Sequence, residues 1–312
     1  MDGKIAFVFP GQGAQKVGMG QNLAEKFPSA KNLMERATQT LGFDLQTLCF
    51  EGDIAELSQT QNTQPALLTV SAMALEAFRE KSGGAIKPDF VAGHSLGEFS
   101  AVYAAGSLSF EDAVGIVRKR GEYMSRASGG VMAAIIGLDV GKVEEICVSA
   151  SEGDSFIKPA NYNGEGQTVI AGTKEALEKA TPMLKEAGAK MVVPLKVSAA
   201  FHTPFMKEAS ENLAKDLDAL TFDKPEAVLI NNIDAAIVDS GDAVREGLKR
   251  QVMGAVKWTD IMTQFIDNNV RTVVEFGTGR TLIGMLKRAD KTLTLLNVEN
   301  ETSLIKAIEA LS

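Results

Sequence analysis

The chain has 312 residues, 45% of them hydrophobic and 23% charged, with a formal net charge of −8. That is the composition of a globular protein with room for one large domain and a smaller one. The acidic balance argues against a nucleic-acid partner, and no apolar run approaches the roughly 18 residues a membrane span requires.

In chain order, Met1-Asp2-Gly3-Lys4 leads straight into a strand, Ile5-Ala6-Phe7-Val8-Phe9, closed by Pro10. A signal peptide is therefore not expected. Gly11-Gln12-Gly13-Ala14-Gln15-Lys16 follows, with Lys16 where a dinucleotide fingerprint needs its third glycine. The stretch reads either as a strand-ending turn or as a loop whose backbone N–H groups face a cleft. Helices are predicted over 29–41, with Gly42 at the stop position, and over 63–81, with Thr63 as cap and Pro65 in the first turn. The two cysteines, Cys49 and Cys147, lie far apart and lack metal-ligand spacing. Buried, reduced thiols in a cytoplasmic protein, and no zinc, are the economical expectation.

Phe90-Val91-Ala92 then runs into Gly93-His94-Ser95-Leu96-Gly97, and a helix-like segment follows. This is the G-x-S-x-G nucleophile elbow in its required setting, a sharp strand-to-helix turn that exposes the serine hydroxyl. Only two histidines are present. His94 precedes the serine and points away from it in such an elbow, which leaves His202 as the one imidazole able to activate Ser95. Ser109-Phe110-Glu111-Asp112 resembles a capping box opening a helix to about residue 128. On that helix the apolar face is Phe110, Ala113, Val114, Val117 and Met124; Lys119 points away, while Arg118 and Arg120 flank the stripe about equally.

From 131 to 194 the order is strand, helix, two short strands around Asn163-Gly164, helix, strand: the β-α-β-β-α-β of a ferredoxin-like unit. Ser128-Gly129-Gly130 and Ser198-Ala199-Ala200 are its natural junctions. Strands and helices then alternate at 228–230, 242–253, 259–268, 272–276, 282–288, 292–296 and 303–311. Gly277-Thr278-Gly279-Arg280 again fails as a nucleotide loop. The expected architecture is an α/β-hydrolase-like large domain with a mostly parallel sheet (1–128 and 199–312), carrying an inserted ferredoxin-like small domain (129–198), with a ligand cleft between them.

Phe9-Pro10-Gly11-Gln12-Gly13, Gly93-His94-Ser95-Leu96-Gly97-Glu98, Arg120-Gly121, Asn161 with Asn163-Gly164, Val197-Ser198-Ala199-Ala200-Phe201-His202, and Gln251 ahead of Trp258 occur in that order. With these motifs the chain resembles the malonyl-CoA:acyl carrier protein transacylases essentially from end to end. The resemblance implies Ser95 as nucleophile and His202 as base, with the backbone carbonyl of Gln251 in place of a triad carboxylate. It further implies an oxyanion hole from the N–H groups of Leu96 and Gln12, and Arg120 as a bidentate partner of the malonyl carboxylate. Asn163 and Gln251 join the substrate-binding set. Met124 either walls the acyl pocket or packs in the core, and Phe201 resembles the signature of malonyl-selective members. Ala255 and Thr278 stand where prolines are common, departures that affect loop stiffness.

The activity implied is ping-pong transfer of malonyl from malonyl-CoA to the phosphopantetheine thiol of an acyl carrier protein, in fatty acid synthesis. No metal or cofactor is expected, and the chain is expected to be a monomer. A serine esterase or thioesterase and a silent acyl-binding module are the other readings of the elbow; Arg120 and the full motif set favour the transferase. Lys287 and Arg288 are candidate contacts for an acidic carrier protein.

Overall fold

A computed structural model describes residues 3–312 except Lys196 and Ser198. Met1, Asp2 and the first residue of the Ser198-Ala199-Ala200 junction therefore lie outside the described residues. These form strands β1 (Lys4–Phe9), β2 (Phe90–Gly93), β3 (Val131–Ile136), β4 (Ile157–Tyr162), β5 (Gln167–Gly172), β6 (Met191–Pro194), β7 (Val228–Ile230), β8 (Ile237–Val238), β9 (Val270–Phe276) and β10 (Thr294–Val298).

Two sheets result. The larger has the order β10-β9-β1-β2-β7-β8, parallel throughout except for the β7–β8 pair. Strands β1, β2 and β9 are almost entirely buried, as strands covered on both faces by helices must be. Phe7, Phe9, Phe78 and Phe276 form an aromatic cluster under one face. Helix Thr60–Lys81 runs through that side, with its residues from Thr63 to Leu75 wholly buried. The smaller sheet is antiparallel with the order β4-β5-β3-β6, and helices Val140–Ala150 and Lys174–Glu186 pack over its own apolar cluster. This is the predicted mixed architecture, a large α/β unit with a ferredoxin-like one inserted.

Several boundaries differ from the sequence reading. The helix predicted from Thr63 begins at Thr60, and Pro65 sits inside it. Thr63 is not the cap; its hydroxyl donates to the Leu57 carbonyl at 2.5 Å. Pro65 has no N–H for the carbonyl four residues back, and that Gln61 oxygen accepts from Arg118 Nη1 instead, at 3.0 Å. The orphaned acceptor is thus satisfied from a neighbouring helix. Helix Lys207–Asp218 lies outside the predicted elements, although its buried Ala209, Leu213 and Leu217 recur every fourth residue. Capping at Ser109 matches expectation, with its Oγ accepting from the Asp112 N–H.

Candidate active site

The elbow forms because two glycines let three backbones converge. A Cβ at Gly93 would lie 1.9 Å from the Gly97 carbonyl oxygen, and one at Gly97 would lie 2.1 Å from that of Phe9. Ser95 itself is held at φ 51°, in the left-handed region that side chains other than glycine rarely adopt. Asn232, just past the end of β7, anchors this turn. Its Oδ1 accepts from the Ser95 N–H at 2.7 Å, and its Nδ2 donates to the Gly93 carbonyl at 2.7 Å.

His202 reaches Ser95 from the loop after β6, also with a positive φ, 61°. Its Nε2 lies 2.9 Å from Ser95 Oγ. On the far side, Nδ1 lies 3.0 Å from the Gln251 carbonyl oxygen and 2.9 Å from that of Gly254. Two acceptors require a proton on Nδ1, which leaves Nε2 free to accept the serine proton. Burial, then the nearby Arg120 charge, push the His202 pKa down to about 3. The other histidine, as expected, turns away: His94 Nε2 lies 2.8 Å from Asn163 Oδ1.

Arg120 and Arg118, inseparable by periodicity, part company here. Arg118 pairs with Glu122 at 2.7 Å in a half-exposed position. Arg120 is buried, with 1% exposure. Its Nη1 donates to Gln64 Oε1 at 2.7 Å; its Nη2 donates to Gln251 Oε1 at 2.9 Å and to Ser95 Oγ at 3.2 Å. Desolvation lowers its pKa to about 10, opposed by the charge of Glu98, so it stays protonated at neutral pH.

A cavity of about 110 Å³ opens between these groups, lined by Gln12, Ser95, Leu96, Arg120, Met124, Asn161, Phe201 and His202 among others. It is far smaller than the roughly 300 Å³ and upward of a typical small-molecule site, so it suits a short acyl unit. Larger grooves elsewhere, such as the 440 Å³ one beside Tyr162 and Asp260, include neither Ser95 nor His202. Gln12 lines the cavity because its loop can lie against the elbow: a Cβ at Gly11 would be 2.4 Å from the His94 carbonyl oxygen. The loop is thus a turn at Gln12-Gly13 that lies beside the cleft. Among the described residues, the N–H groups of Gln12 and Leu96 have no hydrogen-bond partner. Met124 and Phe201 both line the cavity, whereas two other predicted contacts do not. Asn163 spends its oxygen on His94, and Gln251 lies behind Arg120 and His202.

The Gln251 side chain, Gln64, Glu98, Asn232 and the Gly254 carbonyl were not foreseen. For Asn232 a signal existed: it follows the apolar run Val228-Leu229-Ile230, and ligands of open α/β sheets gather at strand carboxyl ends.

Residues 6–305 match the acyl transferase domain family. The chain belongs to that family. It is an acyltransferase, and the malonyl CoA-acyl carrier protein transacylases are its relatives over the full length. That of Bacillus subtilis is 42% identical over 99% of this chain and 97% of its own. The Escherichia coli K12 protein is 41% identical over 98% and 99%. Among solved structures, an acyl carrier protein S-malonyltransferase from Vibrio cholerae superposes with a TM-score of 0.94 at 40% identity, covering 97% of this chain and 99% of that one. A malonyl-transacylase in complex with a type II polyketide acyl carrier protein gives 0.94 at 40% identity, covering 98% and 99%.

Proposed function

We propose that this acyltransferase carries malonyl from malonyl-CoA to the phosphopantetheine thiol of an acyl carrier protein through a malonyl-Ser95 ester, supplying fatty acid synthesis. One observation carries the reading: Ser95 Oγ is within hydrogen-bond distance of both a base, His202 Nε2 at 2.9 Å, and a buried guanidinium, Arg120 Nη2 at 3.2 Å. An ordinary esterase needs only the first. The second suits an acyl group that brings its own carboxylate.

His202 takes the hydroxyl proton as Ser95 Oγ attacks the thioester carbonyl. The oxyanion is received by the unpartnered N–H groups of Leu96 and Gln12. The tetrahedral intermediate collapses by breaking the C–S bond, and the imidazolium returns its proton to the departing CoA sulfur. In the second half His202 deprotonates the carrier thiol, whose sulfur attacks the ester and releases Ser95. Once Ser95 is an ester, the Nη2–H its hydroxyl accepted is released to the malonyl carboxylate. The names of the relatives, and the carrier protein captured with one of them, support this choice of donor and acceptor.

Intact-mass spectrometry after brief exposure to malonyl-CoA without acceptor tests it. The wild type should gain a malonyl adduct, Ser95→Ala should gain none, and His202→Ala should acylate slower by orders of magnitude, since a positioned base contributes about 10²–10⁴-fold. An adduct on Ser95→Ala would refute the mechanism.

A further inference from the structure

One buried acid has no part in the chemistry so far. Glu98 lies one helical turn beyond the nucleophile and is only 2% exposed. Its Oε2 accepts from Gln251 Nε2 at 2.7 Å and from the Asn232 N–H at 3.1 Å. Gln251 Nε2 also donates to the Ser95 carbonyl at 2.8 Å, while its Oε1 takes the Arg120 Nη2 hydrogen at 2.9 Å. The amide is therefore clamped between groups with no freedom of role. A backbone carbonyl and a carboxylate oxygen accept, and a guanidinium only donates. Turned over, the amide would set its NH₂ against Arg120 and its oxygen against two oxygens.

We propose that Glu98 is a positioning residue: its carboxylate fixes which way the Gln251 amide faces and so holds the Arg120 guanidinium at the Ser95 hydroxyl, ready for the acyl carboxylate. This rests on the proposed pairing of Arg120 with malonyl. Remove the Glu98 oxygen, and the amide loses one of the two acceptors that keep it turned. Two buried donors, a Gln251 Nε2 hydrogen and the Asn232 N–H, are then left unmet, and the amide is free to swing from the guanidinium. Arg120 keeps Gln64 on Nη1 but loses its fixed support on Nη2, the nitrogen nearest the nucleophile. The relay bears on recognition of a charged acyl group more than on attack itself, because the imidazole is held by backbone carbonyls. Burial pushes the Glu98 pKa up to about 7, but a proton on Oε1 still leaves Oε2 an acceptor. A neutral glutamine can therefore replace the acid.

The readout is the ratio of kcat/KM for malonyl-CoA to that for acetyl-CoA, which lacks the carboxylate. Arg120→Ala, measured alongside, tests the underlying reading; a ratio unchanged there defeats the malonyl pairing itself. With that ratio lowered, Glu98→Leu should lower it about 10–100-fold, the worth of a hydrogen bond to a charged group. Glu98→Gln should hold it within about twofold of wild type, and Glu98→Leu should add nothing beyond about twofold once Gln251 is leucine. Equal losses for both thioesters in Glu98→Leu would reduce Glu98 to a packing element and overturn the proposal. So would a ratio as low in Glu98→Gln as in Arg120→Ala. If Glu98→Leu does not fold, Gln251→Leu decides, because it cuts the same relay and keeps the backbone carbonyl behind His202; a wild-type ratio there also overturns it.

Discussion

His202 is an imidazole kept neutral by its surroundings. Its folded-state pKa lies near 3, against an ordinary value of 6.5, because burial and then Arg120 disfavour the imidazolium. Two consequences follow with definite sign. Below pH 6.5 the unfolded chain binds a proton that the folded chain refuses, so the stability associated with this group is present above pH 6.5 and lost as pH falls toward 3. The base also stays available in mild acid. Ser95 acylation by acetyl-CoA, which avoids the carboxylate pocket, should show an acid limb with its midpoint well below pH 5.5. A midpoint near 6.5 would mean that His202 is solvated. For Arg120→Ala, a bound malonyl carboxylate would lose its buried cationic partner. Its kcat/KM should fall by the equivalent of about 2–5 kcal/mol while acetyl transfer is spared, and equal losses would make Arg120 structural. At this scale the sequence named Ser95 and His202 through the scarcity of histidine, but periodicity alone could not separate Arg118 from Arg120. The family resemblance pointed to Arg120, and in the fold its packing against Gln64 and Gln251, residues far away in the chain, is what sets it apart.

Elements were legible where their signals are local. Gly42 ends its helix with a left-handed φ of 71°, and Ser109 opens another through its side chain. The first turn of Thr60–Lys81 was not legible, because its adjustment to Pro65 depends on Arg118 from a different helix. The strand-to-helix junction of the elbow is the least adjustable element, since the atoms facing Gly93 and Gly97 are backbone. Gly93→Ala and Gly97→Ala should each cost more than about 3 kcal/mol, at the upper end of single-substitution effects. Chemical denaturation measures this directly. Near-wild-type stability in either variant would contradict the close approach.

Across the molecule, the insertion touches the catalytic loop by backbone. Tyr162 N–H donates to the Val256 carbonyl and Val256 N–H to the Ala160 carbonyl, both at 2.9 Å. The segment from Gln251 to Val256 thus supports His202 on one side and the edge of β4 on the other. The order of the inserted unit could be read from sequence; this seam could not, because it is made by main-chain atoms of residues distant in the chain. A second link joins Arg288 Nη2 to Gln167 Oε1 at 2.6 Å, so this arginine is engaged with β5. Lys287, exposed at the same helix end, is then the better candidate for meeting an acidic carrier protein. Lys287→Glu should raise KM for the carrier protein, less so at high salt, and leave CoA kinetics alone; unchanged carrier kinetics would remove this patch.

The positive φ of Ser95 also sets function against durability. The nucleophile occupies a conformation that glycine adopts without penalty, so the polypeptide would be more at ease without its reactive side chain. Ser95→Ala and Ser95→Gly both abolish the hydroxyl, but only alanine retains the crowded Cβ. The glycine variant should be more stable than the alanine one by up to about 1 kcal/mol, the roughly 1–2 kcal/mol of left-handed strain less the roughly 0.5–1 kcal/mol that glycine's freedom costs through the unfolded chain. A glycine variant less stable than the alanine one would mean that the turn carries no strain worth the name. Selection for thermal robustness alone would favour losing this side chain, so an engineering screen for stability must score acyl transfer alongside it.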